Sequence, residues 1–397
     1  MARISRRLIV WVAAALVAVV LLGLSTVVLI VLLIDPDDHK PRIEAMVREQ
    51  IGREFKLTGK LSWRIAPWLV VESAGGSLGN PDGFEGEPFA AWQRLRLGVQ
   101  LLPLLRREFV IDRIAIDGLD LRLQRNAAGQ DNWTFMTAPA EPDAAEPKLQ
   151  VDAAELTHSR VSYFDATTRT QLQAEELSAS LRLPAGTTAK NVQVEKLSID
   201  AHLYGGPLVE RGVAFAVAAP RASYDSATSS VQLPEFTLKL DDATANGAVT
   251  AVFTPSLSAR GKFDINAPRL RELLLAFGAA VPATRDAGAL RRFKVASGVR
   301  LDADRLVTEG LTLQLDDTQI TGDVQLPSLD KGSIRFDLAG DSIDIDRYLE
   351  PDGTVSEPFK LQVEQLKALD AAGQLTFQRA TLGGIAIVGL TLKVEGP

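Results

Sequence analysis

The sequence lacks the residues on which most catalytic and metal sites depend. It has no cysteine among its 397 residues, so disulfides, thiolate-bound metals and cysteine nucleophiles are excluded. Its three histidines, His39, His158 and His202, are far apart in the chain and leave little material for a histidine-bound metal or an acid–base relay. We therefore predict that the protein is not an enzyme and has no catalytic residue, no metal site and no cofactor.

Positive charge is scarce beyond the N-terminus. Of the 43 lysines and arginines, three (Arg3, Arg6 and Arg7) lie in the first 34 residues, which contain no acidic residue. The other 363 residues carry 40 basic and 50 acidic side chains, a net charge of −10. Because nucleic acid is bound by cationic surfaces, we expect no nucleic-acid partner.

A long hydrophobic run is present only at the N-terminus. Residues 8–34 carry no charge, and at about 1.5 Å per residue they can cross a hydrocarbon core of about 30 Å with some tilt. The run is longer than the core of a signal peptide and lacks a small-residue cleavage site, so we predict an uncleaved anchor. The preceding Arg3, Arg6 and Arg7 place the N-terminus in the cytoplasm and the body across the membrane. Representative anchor positions are Leu8, Trp11, Leu22, Leu29 and Ile34.

A short amphipathic helix is predicted directly after the anchor. Asp35 and Pro36 are typical of an N-cap and a first helical position, and Gly52 is typical of a helix end. Between them apolar residues recur at helical spacing: Ile43, Met46, Val47 and Ile51.

From Phe55 onward, apolar and polar residues alternate, which is typical of antiparallel strands with one buried and one wet face. Further strands are predicted at 213–217, 236–240, 311–315, 334–338 and 390–394. The sequence therefore predicts a mainly β protein, with a transmembrane helix followed by an elongated, curved antiparallel sheet and a few short helices. The apolar positions predicted to line its groove are Phe55, Leu57, Leu61, Trp63, Ile65, Leu95, Leu97, Val99, Leu101, Leu119, Leu121, Leu123, Leu311, Leu313 and Leu315.

Composition and repetition predict four segments. Residues 1–34 form the cytoplasmic tip and anchor, 35–137 an N-terminal unit, 138–148 a linker or loop rich in proline and acid, and 149–397 a repetitive β region. Within the last segment, residues 236–247 match residues 311–322, and each copy is followed by a strand and a helical stretch. The repeat favours a sheet that grows by adding units, although two similar hairpins in a sandwich would give the same pattern.

Three motifs resemble catalytic or metal sites. Ser77 lies in a G-x-S-x-G sequence, but the following Asn80-Pro81 does not start the helix that a nucleophile elbow needs, so a turn is predicted. The pairs Asp241-Asp242 and Asp316-Asp317 are interpreted as hairpin turns, because adjacent strand residues point to opposite faces. The acidic residues of 341–346 lack the glycine and terminal glutamate of a calcium loop.

Between residues 35 and 135 the sequence contains an ordered series of short motifs. They are Asp35-Pro36, Lys40-Pro41, 50–54, Leu57-Thr58-Gly59, Ala66-Pro67-Trp68, 78–84, 87–90, 101–105, Ile116-Asp117-Gly118 and 129–133. In these motifs the stretch 35–135 resembles the N-terminal region of the AsmA family of bacterial envelope proteins. Residues 236–247, 311–322 and 344–349 also resemble the downstream region of that family. One departure is 69–71, Leu-Val-Val, where the family usually has a glycine.

The resemblance implies an inner-membrane anchor and a periplasmic, taco-shaped β-groove related to chorein-type bridge-like lipid transfer proteins. It implies phospholipid, the inner membrane and envelope proteins at the outer membrane as partners. We expect a carrier of phospholipid acyl chains that supports lipid transport between membranes and outer-membrane biogenesis. The alternative is a non-catalytic assembly or scaffold factor for outer-membrane protein or lipopolysaccharide biogenesis, with a filled core. A periplasmic hydrolase using Ser77 is a third, formal alternative.

Overall fold

The structure is a computed structural model that describes residues 35–65, 69–100, 110–135, 150–184, 187, 191–206, 208, 212–329, 332–351 and 370–395. The chain divides into two compact units, Met1–Val151 and Asp152–Pro397. The predicted anchor with its flanking arginines, and the predicted linker at 138–148, lie outside the described residues. No helix within the described ranges is both long and apolar enough to cross a membrane.

The helix predicted after residue 34 is present. A 3-10 helix (η1, Pro36–His39) leads into α1, Lys40–Ile51. The carboxylate of Asp35 caps η1 by accepting the N–H of Asp37 at 3.0 Å, and Gly52 ends α1 with a left-handed φ of 72°. No side chain of α1 is buried, and Met46 is 53% exposed. The predicted boundaries are therefore confirmed.

The strands of the first unit form two antiparallel ladders, β2–β3–β6–β7 and β1–β4–β5–β8. The alternating pattern of 55–65 is split between β1 and β2, and the break contains Gly59, where a Cβ would lie 1.6 Å from the carbonyl oxygen of Ala74. The bounds are β1 Phe55–Lys56, β2 Leu61–Ile65, β3 Leu69–Ser73, β4 Gly76–Leu78, β5 Ala90–Trp92, β6 Arg94–Val99, β7 Val110–Asp117 and β8 Asp120–Arg125.

Ser77 lies in β4, so the turn predicted there is wrong. Residues 79–89, which follow β4 and are all described, contain no helix. The strand–turn–helix context of a nucleophile elbow is therefore not formed around Ser77.

The second unit is one long sheet in which most strands pair with their neighbours in sequence. The order is β9–β10–β12–β13 and then consecutively to β22, while β11 pairs with β13 beside β12. The bounds are β9 Gln150–Asp165, β10 Thr170–Arg182, β11 Asn191–Val194, β12 Lys196–Gly205, β13 Val213–Asp225, β14 Ser230–Leu240, β15 Ala243–Val252, β16 Ser258–Ala267, β17 Phe293–Asp302, β18 Arg305–Leu315, β19 Thr318–Ser328, β20 Ser333–Asp344, β21 Ala371–Leu382 and β22 Ile385–Val394.

One pair in this sheet departs from the predicted antiparallel arrangement. The strands β20 and β21 run parallel, with Ile334 paired to Ala371 and Asp344 to Thr381. A parallel pair needs a crossover connection of a dozen or more residues, and residues 345–370 are long enough to supply it.

The internal repeat corresponds to two equivalent hairpins. Leu240 pairs with Ala243 and Leu315 pairs with Thr318, so each Asp-Asp sequence is a two-residue turn, as predicted. The first aspartate of each turn is left-handed, with φ of 50° at Asp241 and 51° at Asp316. The predicted helical stretches correspond to α2, Leu270–Ala276, and to a shorter 3-10 helix, η2, Ile345–Tyr348.

Candidate functional site

An apolar row runs across the sheet of the second unit. Residues that are direct partners on neighbouring strands lie on the same face of a sheet. Followed from partner to partner, the apolar row crosses thirteen strands without meeting a polar or charged residue. Its members are Leu156, Ala179, Ile199, Val217, Leu238, Ala245, Ile265, Val295, Leu313, Ile320, Gly340, Phe377 and Leu390.

A polar row crosses the same strands on the opposite face. Because successive strand residues alternate between faces, the residue beside each member of the apolar row belongs to the other side. In this polar row the largest hydrophobic residue is alanine. Its members are Glu155, Ser180, Ser198, Ala218, Thr237, Asn246, Asp264, Ala296, Thr312, Thr321, Ala339, Thr376 and Thr391.

The apolar face is not covered within the described part of the protein. Eight of the twelve buried hydrophobic residues there are alanines, and the larger four are Leu61, Phe89, Val213 and Phe377. The branched members of the apolar row are only half-buried, whereas in a closed core such side chains are normally enclosed. This face therefore remains available to an apolar ligand or partner.

Phenylalanine rings occupy the space beside glycines on this face. A Cβ at Gly340 would lie 2.3 Å from the ring of its strand partner Phe377, and one at Gly247 would lie 2.6 Å from the ring of Phe236. Phe377 is 3% exposed in consequence. Glycine at these positions lets a large ring lie against the sheet instead of projecting from it.

The first unit brings several predicted groove residues together. In the ladder β2–β3–β6–β7, one row of partners is Trp63–Val71–Leu97–Ile114. A second row contains Leu61, Leu95 and Ile116. In a third, Leu69 pairs with both Ile65 and Val99. In the other ladder, Phe55, Leu78, Ala90 and Leu121 are successive partners. The ring centroids of Phe55 and Trp92 are 5.7 Å apart.

The remaining predicted groove residues have different outcomes. Leu311, Leu313 and Leu315 lie in β18, and Leu123 lies in β8. The strand positions predicted for Leu57 and Leu119 are wrong. The strands are interrupted at 57–60 and at 118–119, where Gly118 has a φ of 65°, so both residues lie between strands. Leu101 lies outside the described residues.

Most members of the apolar row are not among the groove residues predicted from the sequence. Examples are Ile199, Val217, Ile265, Val295 and Ile320. Each of them has a small or polar residue on either side, and two, Val217 and Ile265, lie within predicted strands. Only the pairing register shows that they form one continuous row.

A buried carboxylate forms a hydrogen-bond network at the strand ends on one edge of the second unit. Asp316 is 2% exposed; its carboxylate accepts the N–H groups of Leu290, Arg291 and Arg292 at 2.8–3.0 Å and the hydroxyl of Tyr348 at 3.0 Å. Burial opposes ionisation, but these hydrogen bonds outweigh it and lower the pKa of Asp316. Burial and the bond to Asp316 raise the pKa of Tyr348 to about 12.

Residues of η2 extend this hydrogen-bond network. The guanidinium of Arg347 lies 2.7 Å from Asp286 and 2.8 Å from Asp317, and the hydrogen bond to Asp286 is the main cause of its raised pKa. Asp346 accepts the N–H groups of Gly384 and Gly383 at 2.8 and 2.7 Å, which lower its pKa. The acidic residues of 341–346 therefore include structural acceptors that tie strand ends together.

A buried amide links two of the family-like motifs in the first unit. Asn132 is fully buried; its side chain donates to Asn80 Oδ1 at 3.0 Å and to the carbonyl of Arg122 at 2.8 Å, and accepts the N–H of Gln124 at 2.8 Å. These bonds explain why asparagines recur at two distant positions of the N-terminal pattern.

We expect Asn132→Ala to lower the free energy of unfolding of the first unit by about 2 kcal/mol, because it leaves buried partners without hydrogen bonds. All five tryptophans precede residue 152, so tryptophan fluorescence in urea reports this unit. Gln130→Ala, at an exposed position in the same motif, is expected to change the midpoint little. Equal effects of the two substitutions would contradict this role for Asn132.

The described residues contain no group of three or more His, Asp or Glu side chains that could hold a metal ion. The features that the structure brings together are therefore an apolar face, a polar face and the hydrogen-bond network around Asp316.

The fold and this face define a class: a mainly β protein built on a long, chiefly antiparallel sheet with one uncovered apolar surface. The chain belongs to the AsmA family, whose model matches residues 3–378. Protein AsmA of Escherichia coli (strain K12) is 30% identical over 136 residues, which cover 34% of this chain and 21% of that protein. The match thus spans about a fifth of that relative. No solved structure matches.

Proposed function

We propose that this protein is an inner-membrane-anchored envelope protein that carries phospholipid acyl chains along its apolar face, without catalysis. The supporting observation is the apolar row, which crosses thirteen strands without a polar residue and whose branched members are only half-buried. Strands about 4.8 Å apart give the row a length of about 60 Å. Each methylene that moves from water onto such a surface contributes about 0.8 kcal/mol. A tail can slide along the row because no polar residue interrupts it.

Site-specific photo-crosslinking in cells tests this function. A photoreactive residue is placed in turn at the five consecutive positions 311–315 of β18. Lipid adducts are expected at Leu311, Leu313 and Leu315, and not at Thr312 or Gln314, because only the odd positions lie on the apolar face. Strand β18 suits the test better than 55–65, where the alternation is broken. Adducts that are protein instead of lipid, or lipid adducts of equal yield at all five positions, would contradict the proposal.

A second candidate function is a scaffold that binds envelope proteins. The observation that favours it is β22, where Ile385 is 68% exposed and Val388 is 84% exposed. Exposed apolar residues on a strand can support addition of a partner strand. If crosslinks at Ile385 and Val388 capture a protein while β18 captures no lipid, the scaffold replaces the lipid carrier.

A further inference from the structure

The outward face of the ladder β2–β3–β6–β7 carries a cluster of arginines. Pairing places Ser62, Glu72, Arg96 and Ala115 in one row, with Arg64 and Arg113 in the next row and Arg94 opposite Asp117. The partner rows on the other face hold Trp63, Leu97 and Leu95. We call this surface the arginine face; it consists of Arg64, Arg94, Arg96 and Arg113 with Glu72, Asp112 and Asp117.

Ion pairs organise the arginine face without neutralising it. Glu72 lies 3.2 Å from Arg64, 3.3 Å from Arg94 and 3.1 Å from Arg96, while Arg94 is also 3.5 Å from Asp117. The four arginines share this face with three carboxylates, because Asp112 lies beside Gly98 on the same side of the sheet, so the local charge is +1 in a body whose net charge is −10. The side chain of Arg64 is 74% exposed, and those of Arg94 and Arg96 are nearly half exposed.

The geometry of this cluster suits phosphate groups at a surface. Glu72 contacts Arg96 through Nε, so this ion pair does not use the two terminal nitrogens of Arg96. Guanidinium groups bind phosphate in a bidentate manner, which a lysine ammonium does not. The arginines come from three strands of the ladder, β2, β6 and β7, so they are spread over a sheet face and not collected in a pocket. Such an arrangement matches an extended anionic surface better than a single small anion.

We propose that the arginine face docks the first unit on a membrane surface that contains anionic phospholipid. Charge complementarity is the basis of this proposal, since cationic side chains are attracted to anionic lipid headgroups over about a Debye length. The docking does not depend on lipid carriage along the apolar face, so either proposal can fail without the other.

The test uses the full-length chain reconstituted in vesicles. Because the protein has no cysteine, Ser62→Cys gives a single fluorophore on the arginine face, and Thr321→Cys gives a matched label on the polar row of the second unit. Vesicles of phosphatidylcholine alone are compared with vesicles of three parts phosphatidylcholine and one part phosphatidylglycerol, both with a quencher on a small fraction of headgroups. The expected result is stronger quenching at Ser62→Cys in the anionic vesicles, reversed by 0.5 M NaCl, and no dependence on lipid charge at Thr321→Cys.

Charge-removing variants complete the test. Each cation lost at such a membrane weakens association about fivefold, so Arg64→Gln with Arg96→Gln is expected to lower the ratio of docked to undocked protein about 25-fold. Arg64→Lys with Arg96→Lys keeps the charge and is expected to retain most of the quenching. Equal quenching in neutral and anionic vesicles, or quenching unchanged in the double glutamine variant, would overturn the proposal. Tryptophan fluorescence confirms that each variant is folded.

Discussion

Loss of bound phospholipid is the result expected from Leu313→Asp combined with Ile320→Asp. The two residues are direct partners in the middle of the apolar row, on β18 and β19. Two carboxylates there would place charge where an acyl chain is proposed to lie, and an unpaired charge is strongly disfavoured against hydrocarbon. We expect at least a tenfold decrease in copurified phospholipid, measured by mass spectrometry relative to protein.

The chain provides a matched control for this pair. Thr312 and Thr321 lie beside the two residues in the sequence, are partners of each other, and belong to the polar row. Thr312→Asp with Thr321→Asp therefore adds the same charge, with the same like-charge repulsion across the same strands, but on the wet face. This control is expected to retain bound lipid.

The folding of the first variant distinguishes an open face from a closed core. Leu313 and Ile320 are half-buried, so an open face tolerates carboxylates that remain in water when lipid is absent. The far-UV circular dichroism spectrum and the urea midpoint are expected to resemble those of the threonine control. If the Leu313/Ile320 variant unfolds and the control does not, the face is a packed core and lipid carriage is the wrong function.

The substitution Asp316→Asn is expected to lower the free energy of unfolding of the second unit by about 3 kcal/mol. The reason is that four hydrogen bonds converge on the Asp316 carboxylate, and a hydrogen bond to a charged group contributes about 1.5–3 kcal/mol. The asparagine amide would turn N–H groups toward the N–H of Leu290, which now bonds one carboxylate oxygen at 2.8 Å. Asparagine tolerates the left-handed backbone at this position, so the effect isolates the carboxylate.

The adjacent Asp317→Asn is the control. Asp317 is 65% exposed and pairs with Arg292 and Arg347, and exposed ion pairs contribute about 0–1 kcal/mol. All four tyrosines follow residue 151, so tyrosine fluorescence reports the second unit. It is excited at 275 nm, the tryptophan contribution is subtracted, and far-UV circular dichroism is measured in parallel. A loss of stability as large for Asp317→Asn as for Asp316→Asn would contradict the proposed role of the buried carboxylate.

The same pair of proteins gives a pH dependence of definite sign. Hydrogen bonds lower the pKa of Asp316 below its ordinary value of 3.8 in the folded protein. The stabilisation is therefore fully present above the unfolded pKa and is lost as pH falls through the lower folded pKa. The difference in unfolding free energy between the parent and Asp316→Asn is expected to be constant from pH 7 to 5 and to shrink below pH 4. A difference that grows as pH falls below 4 would contradict this assignment.

Much of the local structure could be predicted because it depends on neighbouring residues alone. The cap at Asp35, the helix end at Gly52, the strands within 311–315 and the turns at Asp241 and Asp316 each follow from spacing within a few positions. Predictions failed where a distant segment decided the conformation. At Ser77, pairing with Lys56 and Ala91 makes a strand of a glycine-rich sequence that is typical of a turn.

The sequence by itself determined that this protein is mainly β, that its strands have one apolar and one polar side, and that it resembles the AsmA family, because alternation and motifs are written along the chain. Only the tertiary structure decided that the apolar sides join into one row from Leu156 to Leu390, that the side chains of Asp316 and Asn132 are buried and hydrogen-bonded, and that four arginines share one face. The physical reason is that side-chain direction within a strand is fixed locally, whereas the pairing register that aligns one strand with the next depends on contacts between distant residues.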